Sequence, residues 1–256
     1  CNAVDTITMN QPTALAASSS VISNFNGYSI SCNGASDASL VVLANGGVGN
    51  YTYLWNQGGA NDTLQGVPAG TYSVTVTDGN GCTKAVSKTV VEPMALNALA
   101  SPYTNFNFYN VSCSGASDGK ARVVANGGVG MKTYSWSTNP AQNTQIASNL
   151  TEGSYFVQVT DANGCQVLDT VTLIEPDPLA FTSSVEEANC YDESNGAISV
   201  SVTGGISNTY LINWGNGIYN PQIAGLHSGW HPFILLDANG CGFTDSVFVG
   251  QPNPLE

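Results

Sequence analysis

The residues with chemistry open to them are seven cysteines, two histidines and three recurring acidic turns. Cys82, Cys165 and Cys241 each close an Asp-x-Asn-Gly-Cys string opened by Asp78, Asp161 and Asp237. Cys32, Cys113 and Cys190 lie in earlier loops, the first two followed by Gly-Ala-Ser-Asp, ending at Asp37 and Asp118. Recurring thiols with no C-x-x-C pattern point to disulfides and an oxidising compartment. The expected bonds are Cys32–Cys82, Cys113–Cys165 and Cys190–Cys241, each closing a loop of about 50 residues and stabilising by roughly 4 kcal/mol. The turns at 78–81, 161–164 and 237–240 have the residues of a tight turn. Their oxygens, with those of Asp37 and Asp118, are also calcium-type ligands. Turn is the first reading and calcium the second; no cofactor is required. His227 and His231 lack a recurrent third ligand for zinc. Gly115-Ala116-Ser117-Asp118-Gly119 matches a nucleophile-elbow string, but the strands around it and the lack of histidine in the first two copies argue against a hydrolase. No catalytic residue is assigned.

These residues recur because the chain repeats itself with a period of about 80. At one fixed distance after each early cysteine comes a glycine pair (Gly46-Gly47, Gly127-Gly128, Gly204-Gly205), then Trp55, Trp136 or Trp214. The expected organisation is three β-sandwich copies at 13–93, 94–176 and 177–252. Cys1 aligns with the late cysteines, so 1–12 reads as the last strand of a preceding copy and 253–256 as the start of a linker.

Each copy reads as all-β. Tyr72, Val74 and Val76 alternate with Ser73, Thr75 and Thr77, and Tyr155, Val157 and Val159 repeat the pattern. Runs at 40–44, 122–125, 197–202 and 51–55 add strands, with turn residues between them. The fold expected is a tandem array of immunoglobulin-like β-sandwiches of about 80 residues, with Trp55, Trp136 and Trp214 as core and Tyr72 and Tyr155 as tyrosine corners. His231 takes the corner position in copy three, which predicts a weakened corner there. One difficulty attaches to the cysteines. In this strand order the early loop and the late turn of one copy lie at opposite ends, beyond the roughly 7 Å Cα limit of a disulfide. The alternatives are a folded-back segment, a different strand order, or the pairs Cys1–Cys32, Cys82–Cys113 and Cys165–Cys190; bonds within a copy are preferred.

Charge narrows the partners. The chain carries 5 Lys+Arg against 18 Asp+Glu, a net charge of −13. Nothing here could neutralise a run of phosphates, which excludes a general nucleic-acid binder. No apolar run approaches the roughly 18 residues of a membrane span, so no membrane insertion is expected. In copy three Phe233 and Leu235 share a strand with Ile234 and Leu236, giving two apolar faces. Trp230, Ile234 and Leu236 are therefore expected to be covered by a neighbouring repeat or another chain.

The ordered set Ser-Cys-x-Gly-Ala-Ser-Asp (31–37), Gly-Gly (46–47), Tyr-x-Tyr-x-Trp (51–55), Ala-Gly-Thr-Tyr (69–72), Thr-Asp-x-Asn-Gly-Cys (77–82) and Glu-Pro (92–93) resembles the SprB repeat family of cell-surface adhesins from gliding bacteria of the Bacteroidetes type. Copy three departs from it at Asp192, Asn195 and Trp230-His231. The resemblance implies type IX export, display on the cell surface as filaments, adhesion or gliding, and no catalysis. Asp-Ser/Thr followed by an aliphatic residue, at Thr6, Thr63, Thr170 and Ser246, is similar to the O-glycosylation acceptor motif of Bacteroidetes secreted proteins. The function expected is a repeat segment of an extracellular adhesin acting through many weak contacts. Its partners would be neighbouring repeats, other copies in a filament, and surface polysaccharide. A structural fibre component and a carbohydrate-binding appendage of a secreted polysaccharide-degrading enzyme are the alternatives.

Overall fold

The computed structural model describes residues 5, 7–206, 209–215 and 217–254, and every regular element among them is a strand. Copy one contributes β1 (Ala16–Val21), β2 (Ala38–Asn45), β3 (Thr52–Trp55), β4 (Thr63–Val67), β5 (Gly70–Thr77) and β6 (Thr83–Val90). Copy two contributes β7 (Asn97–Pro102), β8 (Gly119–Asn126), β9 (Thr133–Trp136), β10 (Ile146–Leu150), β11 (Gly153–Thr160) and β12 (Gln166–Leu173). Copy three contributes β13 (Ala180–Glu186), β14 (Gly196–Thr203), β15 (Leu211–Asn213), β16 (Gln222–Leu226), β17 (Gly229–Leu236) and β18 (Gly242–Val249). The expected strands at 40–44 and 72–77 fall within β2 and β5, and β3 covers all but Tyr51 of the one expected at 51–55.

The chain divides into two compact units, Cys1–Ala98 with Ala125–Tyr134 and Gln158–Leu168, and Leu99–Val124 with Ser135–Val157 and Asp169–Glu256. Copy two is thus shared between them. In the first unit the sheets are β1-β2-β4 and β3-β5-β6, all neighbours antiparallel. This is the A-B-E and C-F-G arrangement of an immunoglobulin-like sandwich, with β3 as strand C and β5 as strand F. The alternation seen in the sequence buries Leu40 and Val42 of β2 against Val74 and Val76 of β5, with Trp55 and Val90 in the same cluster. The Trp55 indole donates to the Asn61 carbonyl at 2.9 Å, so its one polar atom is satisfied inside. The second unit repeats the plan in β13-β14-β16 and β15-β17-β18 around Ile198, Phe233, Leu235 and Val249.

Of the expected core residues, Trp55, Trp136 and Tyr72 are buried, while Trp214 and Tyr155 are half-buried. Trp214 differs because Phe233 stands where copies one and two have Val74 and Val157. Its larger ring fills the interior, 4.9 Å from Trp214 and 5.0 Å from Phe181 between centroids. The corner in copy three is kept. Tyr72 Oη donates to the Pro68 carbonyl four residues back at 2.8 Å, and His231 Nε2 lies 2.9 Å from the equivalent His227 carbonyl. An imidazole can make this bond, so the expected weakening rested on ring identity alone.

Of the segment 1–12, expected as a strand, residues 1–4 and 6, with Cys1 and Thr6 among them, lie outside the described residues. Residues 5 and 7–12 are in no regular element.

Candidate functional site: the cysteine clasp

Each late turn is organised by its aspartate. Asp161 is buried, and its Oδ1 accepts the amides of Asn163 at 2.9 Å and Cys165 at 3.0 Å, while Oδ2 accepts Val129 N at 2.7 Å. Asp78 and Asp237 make the same three bonds, to Asn80, Cys82 and Val48, and to Asn239, Cys241 and Ile206. One side chain therefore closes the turn and ties it to the residue after the glycine pair. Both carboxylate oxygens are engaged by amides. Among the described residues no group of three His, Cys, Asp or Glu side chains gathers to hold a metal.

The glycine pair explains itself here. Gly47 (φ 63°), Gly128 (φ 57°) and Gly205 (φ 65°) have left-handed backbones. A Cβ on Gly47 would collide with the Asp78 carboxylate, and one on Gly204 with the Pro178 carbonyl oxygen. Only glycine lets the incoming chain and the aspartate approach so closely.

The hydrogen bonds to Asp78 favour its charged form. The Val48 amide, then that of Cys82, hold its carboxyl below the ordinary value of 3.8, with Asn80 adding to them. A carboxyl lowered in the folded state contributes stability that is fully present above its unfolded value. That stability is lost as pH falls through the lowered folded value. Melting temperature should therefore fall as pH drops below the ordinary carboxylate value, and Asp78→Asn should flatten that part of the curve. An unchanged acid limb in the variant would contradict this assignment.

The early loop is held differently. Asp37 Oδ1 accepts Ser31 N at 3.1 Å and Asp118 Oδ1 accepts Ser112 N at 3.0 Å; Asn195 does the same for Asn189 N at 2.9 Å. The Glu/Gln-Pro motif completes the loop. Glu92 accepts Gly34 N at 2.7 Å, Glu175 accepts Gly115 N at 2.8 Å, and Gln251 accepts Asp192 N at 3.0 Å. Both weak calcium candidates of the early loop, Asp37 and Asp118, are thus loop braces.

The disulfides correct the expected pairing. They are Cys32–Cys165, with Cα atoms 5.7 Å apart, and Cys113–Cys241, also 5.7 Å. Neither Cys32–Cys82, Cys113–Cys165 nor Cys190–Cys241 forms, and nor do the adjacent-copy alternatives Cys82–Cys113 and Cys165–Cys190; Cys82 and Cys190 are exposed thiols. The reason is geometric. Ala38, at the start of β2, pairs with Val67, and β5 begins three residues later, so the early loop lies at the start of β5. Cys82 follows the far end of β5, an eight-residue strand, roughly 25 Å away at about 3.3 Å per residue. The late turn of the next copy reaches the loop instead: the early cysteines of copies one and two bond the late cysteines of copies two and three.

Asparagines flank each bond. Asn163 Nδ2 donates to the Ser31 carbonyl at 2.8 Å, and Asn26 Nδ2 donates to Asn163 Oδ1 at 2.6 Å. Asn239 repeats both contacts, with the Ser112 carbonyl at 3.2 Å and Asn107 at 3.4 Å. Sequence reasoning missed these asparagines as contact residues. The signal was there: a tight turn explains the glycine of Asp-x-Asn-Gly-Cys, but leaves the amide of its asparagine without a task.

The remaining candidates lie apart. Thr63 and Ser246 are half-buried and Thr170 is exposed. Trp230 is 68% and Ile234 41% exposed, while Leu236 is half-buried. Trp230 and Phe248 face each other across β17 and β18 with centroids 5.3 Å apart.

Comparison with known proteins agrees with the motif order. The SprB repeat family model matches residues 28–60, 105–141 and 182–217, each stretch running from the region of the early cysteine past the tryptophan strand. No curated protein matches the chain in sequence. Among solved structures, the three N-terminal domains of the bacteriophage RB49 highly immunogenic outer capsid protein are 14% identical, with 94% of this chain and 100% of that one covered at a TM-score of 0.44. The titin I-band fragment I67-I69 is 11% identical, with 87% and 94% covered at 0.37. At such scores the fold rests on the strand orders and cores above, not on these likenesses. Three segments of the chain, one in each sequence copy, match the SprB repeat model.

Proposed function

We propose that this repeat region serves a secreted cell-surface adhesin, presenting many weak contact sites on a covalently braced array rather than one deep pocket. The observation that supports it most is that the framework recurs while the outer sheet faces do not. Thr71, Ser73, Thr75 and Thr77 of β5 are replaced on β17 by Trp230, Pro232, Ile234 and Leu236. Constant scaffold with varied exposed faces suits multivalent attachment, in which avidity exceeds any single affinity. Extracellular display is supported by the disulfides, which need an oxidising compartment, and type IX export is what the likeness to SprB repeats implies. Surface polysaccharide is the ligand class proposed, because the exposed Trp230–Phe248 pair offers an apolar aromatic platform. O-linked sugar on Thr63, Thr170 and Ser246, and on Thr6, belongs to the same proposal, as does the absence of catalysis and of any required cofactor.

The test is bead attachment under flow to polysaccharide-coated glass. Beads carrying the full chain should be retained, and Trp230→Ala with Phe248→Ala should cut retention several-fold. Detachment of coated and bare beads at equal shear would reject the adhesive reading. Retention untouched by the double variant would reject the aromatic platform.

A further inference from the structure

Copy two differs from its neighbours in the loop after its core tryptophan. Trp55 N donates to the Gly59 carbonyl and Trp214 N to that of Ile218, each four residues on. Trp136 N instead reaches the Gln142 carbonyl, six residues on, at 2.9 Å. Two residues are therefore added between 137 and 142. Where copy one has Gly58-Gly59 and copy three has Gly215 and Gly217, copy two carries Thr138-Asn139-Pro140. The longer loop folds back onto β10 and leaves a groove of about 430 Å³, within the roughly 300–1,000 Å³ of small-ligand sites. All of its lining falls in residues 137–155, inside the second unit.

Two side chains build the groove and others are left to serve it. Gln142 Nε2 donates to the Ser148 carbonyl at 2.9 Å, and its Oε1 accepts Ser148 N at 2.9 Å. Thr138 Oγ1 accepts Gln142 N at 3.0 Å and donates to the Pro140 carbonyl at 2.8 Å, which fixes the added residues. The side-chain amides of Asn139 and Asn149 and the Ser148 hydroxyl make no hydrogen bond among the described residues, and all three line the groove. Ser137 Oγ accepts Phe156 N at 3.0 Å, with its own proton left to donate. Tyr155 forms an aromatic wall. It is half-buried where Tyr72 is buried, and its hydroxyl lies 3.2 Å from the Thr151 carbonyl, against 2.8 Å from Tyr72 to Pro68.

We infer that the groove between the 137–142 loop and β10 binds a sugar ring of a neutral polysaccharide. Sugar hydroxyls both donate and accept, and so do the amides and hydroxyls that Ser137, Asn139, Ser148 and Asn149 present. Tyr155 and Pro140 supply apolar surface for the C–H face of the ring. No Lys, Arg, His, Asp or Glu lines the groove. A phosphate or a carboxylated sugar would therefore be desolvated there without a counter-charge. A peptide is disfavoured on other grounds. β10 is an edge strand of the sheet β10-β8-β7, the usual seat of an added strand, but Gln142 already occupies the Ser148 amide and carbonyl. The inference carries the polysaccharide class of the adhesive reading to a second site that shares no residue with Trp230 and Phe248, so either can fail alone.

The experiment is an NMR titration of the full, isotope-labelled chain carrying Trp230→Ala and Phe248→Ala, so that the aromatic platform adds nothing. The probes are neutral hexasaccharides of glucose, mannose, galactose and xylose. At least one should shift the side-chain amide signals of Asn139 and Asn149 together with the backbone signals of 137–142, and its affinity should not change in high salt. Adding Asn139→Ala with Asn149→Gly should weaken that binding at least about fivefold, the worth of one hydrogen bond. Melting temperature should stay the same, since both side chains are exposed and glycine keeps the φ of 57° at position 149. Hexagalacturonate and a neutral Gly-Ser hexapeptide should bind at least about tenfold more weakly than the best sugar. No shift with any of the four sugars, equal binding of the acidic sugar or the peptide, or undiminished binding by the Asn139→Ala, Asn149→Gly variant would overturn the inference. Bead retention through Trp230 and Phe248 is a separate readout, which none of these results alters.

Discussion

Non-reducing peptide maps of the oxidised chain should return Cys32 joined to Cys165 and Cys113 joined to Cys241, with no Cys32–Cys82 peptide. Replacing Cys113 and Cys241 together by serine should then lower unfolding stability by about 5 kcal/mol, the chain-entropy value for a closed loop of this size. The bond spans 128 residues, against about 50 for a bond within one copy, so it restricts far more of the unfolded chain. The double variant is the suitable comparison because it leaves no lone thiol to exchange. Copy three should still fold without the bond, since its cluster around Phe233, Leu235 and Ile198 contains no cysteine. The expected result is thus an earlier denaturant transition with native tryptophan emission at its start. Equal midpoints for the variant and the parent would show that the clasp contributes nothing to stability. A Cys113–Cys165 peptide in the map would restore the pairing first expected from sequence.

Asp237→Ala should be nearly as damaging, costing about 3 kcal/mol or more. The substitution removes three charge-assisted hydrogen bonds, to Ile206 N at 2.8 Å and to Asn239 N and Cys241 N at 2.9 Å. The Ile206 bond is buried, and its donor would be left without a partner. Asp237→Asn keeps an acceptor oxygen and should recover part of the loss. A second effect separates this aspartate from an ordinary buried polar group. Asp237 shapes the turn that presents Cys241 to Cys113, so reoxidation of the reduced variant should form the Cys113–Cys241 bond more slowly than Cys32–Cys165 in the same molecule. Loss of stability with equal rates for the two bonds would mean the turn is held by something other than its carboxylate.

The calcium reading and the turn reading drew on the same residues, and the amide bonds to the three aspartates support the turn. A carboxylate preceding Asn-Gly can bind an ion or cap a turn. That amides point at its oxygens follows from how the backbone folds around Asp78, Asp161 and Asp237. The same holds for the corner in copy three. His231 is not the residue type the pattern calls for, but its ring reaches the carbonyl of His227 as Tyr72 reaches that of Pro68.

Residue order alone was enough for the repeat, the strands, the immunoglobulin-like plan and the buried tryptophans of copies one and two. Those are local or periodic properties: alternation at period two marks a half-buried strand wherever it occurs, and a self-similar string marks a self-similar module. It was also enough to show that bonds within one copy were awkward, because the two cysteines sit at opposite ends of a strand. Choosing their true partners needed the fold in three dimensions. A disulfide is set by the few ångströms between two Cα atoms, and those distances depend on how the late turn of one copy meets the early loop of another. Nothing in the spacing of Cys32, Cys82, Cys113 and Cys165 along the chain encodes that meeting, since all copies carry the same two cysteines and every pairing looks alike until the turns are placed in space.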